Sequence, residues 1–277
     1  MDTNHLYTDK EYFIVVLDSR NSTKIYNPGF NSQVEIDLPE PIILSKNCIK
    51  MSVSVLSFVC PNSIYIINEN NNVLMMTING QNQTYYIPYG NYDATTFLSY
   101  LQSILSSFTI TFNSTNNKYT LSNTTSFMIN AGSTAYQIMG FNNNINYTSV
   151  LSNGQYVFTM PFTCNFNGLQ NINILLTSIN TKNVDSFSKS NSSIIQSVQI
   201  PLYCNQILFQ KTLENSFNFL QEMMDDIKIE LRDDLNNLIN LNNQHFNITL
   251  LFTVIKDIER FKNHLNFHDI VNYSLNY

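Results

Sequence analysis

The sequence predicts an all-β sandwich, and three observations carry that reading. Its 277 residues include 43 Asn but only 3 Ala and 3 Arg, and Ala is the best helix former while Asn favours turns. Short runs rich in β-branched and aromatic residues recur at a spacing of roughly 8–12 residues, with turn residues between them. Long helical crossovers, which parallel strands require, do not separate these runs, so a doubly wound α/β sheet is disfavoured. With 43% hydrophobic and 13% aromatic residues, the chain can bury a substantial core and is not a disordered polypeptide.

Taken in order, Tyr12-Phe13-Ile14-Val15-Val16-Leu17 is a continuous apolar run, expected to be a strand buried on both faces and closed by a turn over Asp18, Ser19, Arg20 and Asn21. Val34, Ile36 and Leu38 alternate with Glu35 and Asp37 until Pro39 and Pro41, which are expected to stop the strand because proline lacks the N–H a ladder needs. Ile49, Met51, Val53 and Val55 alternate with Lys50, Ser52 and Ser54, and residues 56–59 break that alternation. A hairpin is predicted from strands near 73–78 and 84–87 around Asn79-Gly80, since both residues of such a turn must accept positive φ.

Asp93 is placed to cap a helix whose Phe97, Leu101, Ile104 and Leu105 form one apolar stripe. Strands follow at 109–112, 119–121 and 127–129, with a single helical turn over 136–139 between Ser133 and Gly140. Further strands are read at 156–160, 172–179, 194–200 and 207–209. Ile227, Ile229 and Leu231 alternate with Lys228, Glu230 and Arg232; turns at Asn236-Asn237 and Asn242-Asn243 are expected to frame a strand at 238–241 and to lead into another at 246–254. Beyond it, Ile258, Phe261, Leu265 and Phe267 follow a weak helical pattern.

Charge narrows the function classes. Charged residues make up 12% of the chain and the net charge is −6, against a usual charged share of about 25%. Without a dense Lys/Arg cluster, nucleic acid is not expected as a direct partner. Between residues 94 and 181 the sole charged side chain is Lys118, so Asn, Ser, Thr and Gln supply the polarity of that stretch. The Asn excess also reads as the mark of an AT-rich genome. No basic-then-apolar leader opens the sequence, and no apolar run approaches the about 18 residues of a membrane span. Cys48, Cys60, Cys164 and Cys204 are widely spaced without a C-x-x-C pair, and are expected to be free thiols buried in strands in a reducing compartment.

Enzyme signatures are missing: the sequence holds no G-x-S-x-G, G-x-G-x-x-G, P-loop or H-E-x-x-H motif. His264 and His268, beside Asp269, make half of a metal site at best, and His5 and His245 stand apart. Carboxylates as close in sequence as Asp225, Asp226, Glu230, Asp233 and Asp234 could serve glycoside hydrolysis or hold Ca²⁺, yet the calcium-loop spacing is not met. Glu230 is instead expected on a solvated strand face, with Asp233 and Asp234 at a turn. No catalytic, cofactor-binding or metal residue is therefore assigned.

Four segments follow one another at characteristic spacing: Val16-Leu17-Asp18-Ser19-Arg20-Asn21; Val34-Glu35-Ile36-Asp37-Leu38-Pro39-Glu40-Pro41-Ile42; Tyr86-Ile87-Pro88-Tyr89-Gly90-Asn91-Tyr92; and Ile229-Glu230-Leu231-Arg232-Asp233-Asp234 running into Ile248-Thr249-Leu250. Together, and with Gly140-Phe141, they resemble the single jelly-roll penton and minor capsid proteins of virophages and polinton-like viruses, over most of residues 11–254. The resemblance implies a single jelly roll, with residues 1–61 and 154–255 as the jelly-roll domain. It further implies a β-rich insertion with one short helix at 62–153, facing outward or toward a sister chain. A tail, 256–277, extends beyond the pattern, and residues 218–226 look longer than a plain connection.

As what the resemblance implies, Asp18, Arg20, Asn21, Pro39, Pro41, Pro88, Gly90, Arg232, Asp233 and Asp234 are structural motif positions. The implied function is a non-enzymatic virion protein: a homopentamer at the fivefold vertices of an icosahedral capsid, made in the host cytoplasm or a viral factory. Its partners would be sister copies, a double jelly-roll major capsid protein and other minor capsid proteins. The alternatives are another minor capsid or cement protein of the same shell, and a carbohydrate-binding or receptor-binding jelly-roll module.

Overall fold

The computed structural model describes residues 8–43, 48–179, 183–184, 191–200, 207–211, 217–219 and 223–257. β1 (Thr8–Asp18) passes through a 3₁₀ turn, Ser19–Asn21, into β2 (Lys24–Ile25), β3 (Gln33–Ile43) and β4 (Cys48–Pro61). Next come β5 (Val73–Ile78), β6 (Gln81–Tyr86), helix α1 (Ala94–Ile104), β7 (Thr109–Asn113), β8 (Lys118–Asn123) and β9 (Phe127–Ile129). The one-turn helix α2 (Tyr136–Met139) precedes β10 (Tyr147–Thr148), β11 (Val150–Ser152) and β12 (Gln155–Thr159). The remaining strands are β13 (Asn171–Leu176), β14 (Asn183–Val184), β15 (Asn191–Ser192), β16 (Ile194–Gln199), β17 (Ile207–Lys211), β18 (Phe217–Phe219), β19 (Met223–Arg232) and β20 (Asn247–Asp257).

The chain forms two compact units, Met1–Ile64 with Leu169–Tyr277, and Tyr65–Gly168. In the first, one sheet runs β1-β20-β4-β17, with β18 also on β4, and the other runs β16-β13-β19-β3-β2. If β17 and β18 are counted as one interrupted strand and the short β2, β14 and β15 are set aside, the eight main strands pair antiparallel as first with eighth, second with seventh, third with sixth and fourth with fifth. That is one long antiparallel ribbon rolled into two stacked sheets, the jelly roll expected from the motifs. A single core joins the sheets: Val53, Phe58, Leu250 and Phe252 from one meet Val34, Ile174, Ile227 and Leu231 from the other.

Local irregularities follow from the sequence. The alternation that fails after Val55 does so at a β-bulge: Leu250 pairs with Val55 and Thr249 with Ser57, leaving Leu56 as the extra residue. Phe58 and Cys60 return to the core on the new phase. Contrary to expectation, Pro39 and Pro41 do not stop β3 but break its ladder: Asp37 pairs with Asp226, and pairing resumes only at Ile42 with Met224. β1 is likewise not buried on both faces. Leu17 faces the core, whereas Tyr12, Ile14 and Val16 are 59%, 64% and 72% exposed. Residues 238–241 form no strand, only a bridge between Leu238 and Arg232, although Ile239 and Leu241 are buried.

The Tyr65–Gly168 unit holds two four-stranded sheets, β10-β9-β5-β6 and β11-β12-β8-β7, around its own core. The expected hairpin is present, with Asn79 and Gly80 at φ 48° and 77°. Asp93 caps α1: its Oδ1 accepts the Thr95 and Thr96 N–H at 2.9 and 2.7 Å, and Thr96 Oγ1 accepts the Asp93 N–H at 2.9 Å. Phe97 and Leu101 on one face of α1, followed by Leu105, are buried in this core. The expected boundary after residue 153 falls inside the unit, because β12 pairs with β8. The sequence gives no apolar contrast there: β11 and β12 are joined by Asn153-Gly154, an ordinary hairpin turn. In the tail, 256–257 complete β20; the helical pattern expected beyond lies outside the described residues, as do His5, Cys204, His264, His268 and Asp269.

Candidate functional site

Two of the four motifs meet at one end of the jelly roll, where the turn after β1 is stitched to the connection between β19 and β20. Asp18 ends β1 and caps the 3₁₀ turn, accepting the Arg20 backbone N–H at 2.9 Å. The Arg20 guanidinium reaches back to both carboxylate oxygens, with Nε at 2.9 Å from each. Hydrogen bonding to Arg20 holds the Asp18 carboxyl below its ordinary range. Asn21 closes this turn at the surface. Between them, Ser19 is fully buried. Its N–H donates to the Phe246 carbonyl and its Oγ accepts the Phe246 N–H, both at 3.0 Å, while His245 Nδ1 lies 3.2 Å from the same hydroxyl.

Beyond β2, Asn31 stands at φ 58° and is buried; its amide donates to Asn243 Oδ1 at 3.3 Å and to the Gln244 carbonyl at 3.2 Å. Backbone bonds from Leu241 to Phe30, Asn243 to Gly29 and Leu231 to Ser32, at 3.0, 2.8 and 2.8 Å, complete the seam. An unpaired buried backbone group is costly, so this seam fixes the corner.

The fourth motif supplies the other half. Asp233 organises the turn after β19: its Oδ1 accepts the Leu235 and Asn237 N–H at 2.9 and 2.7 Å, and its Oδ2 the Asn237 amide at 2.9 Å. Asp234 accepts from the Asn171 amide at 3.3 Å. Arg232 donates through Nε to Glu230 at 2.7 Å and through Nη1 to the Asn236 carbonyl at 2.7 Å. Glu230, expected on a solvated face, is 8% exposed. It does point away from the core, but Gln33 and Arg232 lie over it, with the Gln33 amide 2.9 Å from its Oε1. Sequence alternation gives a side chain's direction and not what covers it.

The other two motifs are elsewhere. Pro39 and Pro41 mark the ladder break in β3. Pro88 and Gly90 belong to the Tyr65–Gly168 unit, where Gly90 exchanges two 3.0 Å backbone bonds with Ile67 and the Pro88 carbonyl accepts from the Tyr92 hydroxyl at 3.2 Å. Sequence reasoning misses Ser19, Asn31, Gln33 and His245 as members of this corner. Their partners lie some two hundred positions away, so no local spacing signals them.

The two sheets of the jelly roll present contrasting outer faces. On β3 and β19, Lys228 pairs with Asp226 at 3.4 Å and Glu35 at 3.5 Å. A hydrogen bond from Tyr26, and then the Lys228 charge, hold the Glu35 carboxyl low. On β1, the outer face is the apolar row Tyr12, Ile14 and Val16. Chemically, within the acidic cluster Asp233 acts as a turn acceptor, Asp226 and Glu230 as ion-pair partners and Asp234 as an acceptor from Asn171. Among the described residues, no group of three or more His, Cys, Asp or Glu side chains is placed to hold a metal ion, and no helix is long and apolar enough to cross a membrane. Cys48, Cys60 and Cys164 are free thiols, the first two on β4 and Cys164 in a loop.

No family model matches the sequence. No curated protein matches it either. Among solved structures, the chain is similar to the crystal structure of SeMet-labelled mavirus penton protein, at 13% identity and a TM-score of 0.46, covering 89% of this chain and 100% of that one. The assignment of a jelly roll rests on the strand order itself.

Proposed function

We propose that this protein is a structural component of an icosahedral virion, a penton-like minor capsid protein that forms homopentamers at the fivefold vertices beside double jelly-roll major capsid subunits. The observation that carries the reading is the eight-strand jelly-roll order in which the first and fourth sequence motifs close one corner. The motif residues act there as fasteners of turns, in keeping with a protein whose work is to hold a shape. An upright sandwich of this kind offers its sides to sister subunits in a heterologous contact that closes into a ring. In this reading Asp18, Arg20, Asn21, Arg232, Asp233 and Asp234 set the corner's shape, Pro39 and Pro41 the bend of β3, and Pro88 and Gly90 the entry to α1.

Mass photometry of the purified full chain, with cryo-EM of the particle, tests the reading. A pentameric mass and matching density at the vertices are expected. A chain that stays monomeric at every concentration, together with vertices that lack this density, would overturn it.

A further inference from the structure

β1 carries the sequence of a buried strand but stands at the edge of its sheet. Its eleven residues pair with β20 in unbroken register from Thr8 with Asp257 to Asp18 with Asn247, and no strand among the described residues occupies its other flank. Long edge strands are ordinarily blunted by charge, proline or a bulge, because an open row of backbone donors and acceptors invites another strand. From residue 12 to residue 17, β1 has none of these. Its outward row of Tyr12, Ile14 and Val16 is more than half exposed, whereas the outer face of β3 and β19 is covered with charge.

The same chain holds a segment suited to this edge. Val271, Tyr273, Leu275 and Tyr277 alternate strictly with Asn272, Ser274 and Asn276, and the seven residues include no charge. We propose that residues 271–277 add to the free flank of β1 as a parallel strand of the same molecule. Their apolar row would then lie beside Tyr12, Ile14 and Val16 on one face of the extended sheet.

Placement and length favour the same molecule over a second copy. β20 delivers the chain at Asp257, opposite Thr8, so a segment that crosses the start of β1 runs along it in the parallel sense. The added strand would run antiparallel to β20 with β1 between them, so the connection has only to cross the end of β1, and residues 258–270 supply thirteen. Those thirteen span roughly 40 Å when extended, far beyond the roughly 10 Å across two strand spacings. A contact between separate chains needs about 800 Å² on each side, more than three side chains offer. A tethered strand instead meets its edge at an effective concentration in about the millimolar range. This inference rests on the edge and the segment alone and stands apart from the capsid reading.

Hydrogen exchange of the full chain, read by mass spectrometry, tests it. In Tyr273→Asp/Leu275→Asp, amides of β1 should exchange about tenfold faster than in the unsubstituted chain, with β13 amides unchanged as an internal reference. Asn272→Asp/Ser274→Asp, which adds the same charge on the polar face, should leave most of the β1 protection in place. Protection of β1 should also be independent of protein concentration. Equal β1 exchange in all three proteins overturns the proposal, and protection that fades on dilution overturns it in favour of a second copy.

Discussion

Replacing Gly140 by alanine adds a methyl group where the backbone leaves no room. Gly140 follows α2 at φ +86°, and a Cβ built there lies 2.4 Å from the Phe162 carbonyl oxygen and 2.9 Å from the carbonyl carbons of Phe162 and Thr163. The obstructing atoms are backbone, so that segment must shift and strain the 2.9 Å hydrogen bond from the Phe162 N–H to the Gly140 carbonyl. The left-handed conformation costs a residue with a Cβ roughly 1–2 kcal/mol, and overpacking adds about 1–3 kcal/mol, so the variant should lose about 2–5 kcal/mol. Gly154 is the matched control: it stands at φ +80° with nothing within 4 Å of an added Cβ, and Gly154→Ala should cost only about 1–2 kcal/mol. At about 4–8 °C per kcal/mol for a unit of this size, Tm should fall by about 8–40 °C for Gly140→Ala and by about 4–16 °C for Gly154→Ala. Scanning calorimetry measures the shift, and hydrogen exchange of peptides from 65–168 assigns the transition. Equal losses in the two variants would refute the close approach as the reason for glycine at 140.

Four further outcomes are expected. Val53→Asp should yield insoluble protein, because Val53 is fully buried in β4 and an unpaired interior charge costs a large part of a total stability of about 5–15 kcal/mol; a soluble variant with native circular dichroism contradicts this. Arg232→Met should destabilise the jelly roll by about 2–3 kcal/mol in urea unfolding, since it strips the cover from nearly buried Glu230, and adding Glu230→Gln should restore part of the loss; no recovery in the double variant speaks against the pair. Because hydrogen bonding to Arg20 depresses the folded-state pKa of Asp18, its contribution is present above the ordinary carboxyl pKa of about 3.9 and is lost as pH falls through the lower folded value; Tm of Asp18→Asn should therefore decline less steeply than that of the parent below about pH 4, and parallel curves disprove the linkage. Burial pushes the Cys60 thiol up to about 12, so iodoacetamide at neutral pH should modify Cys60 only after unfolding, and rapid labelling in the folded state would place that side chain wrongly.

Legibility in the sequence divides by distance. Features set by near neighbours are readable: the Asn79-Gly80 turn, the Asp93 cap, the α1 stripe and the alternation of β4 up to its bulge at Leu56. Even the failure of alternation at 56–59 is a structural signal, since one inserted residue reverses the facing of every residue after it. What depends on remote neighbours is not readable. Glu230 reads as solvated until Gln33, 197 positions away, is laid over it. β1 reads as doubly buried because periodicity reports what a strand's faces are made of, and only the packed structure shows that one of them is open. Of the candidate corner, both halves of the motif are visible in the sequence, while the seam joining them through Ser19, Asn31 and His245 is not.

The asparagine excess acquires a conformational reading from the same structure. Every described non-glycine residue with positive φ is an asparagine: 31, 79, 117, 153, 236, 242 and 243. A jelly roll with an inserted sheet unit needs many tight reversals, the chain has only seven glycines, and asparagine is the side-chain-bearing residue that best tolerates the left-handed region. Other asparagines close Asx turns, Asn113 Oδ1 accepting the Thr115 N–H at 2.9 Å and Asn240 Oδ1 the Asn242 N–H at 2.8 Å. The fold uses asparagine where glycine would otherwise be required. The charge deficit is more local: between 65 and 168 the charged residues are Glu69, Asp93 and Lys118 alone. Long-range steering by charge is therefore weak in this unit. Shape, side-chain amides and exposed apolar groups such as Tyr86, Val150 and Leu151 are left as its means of contact.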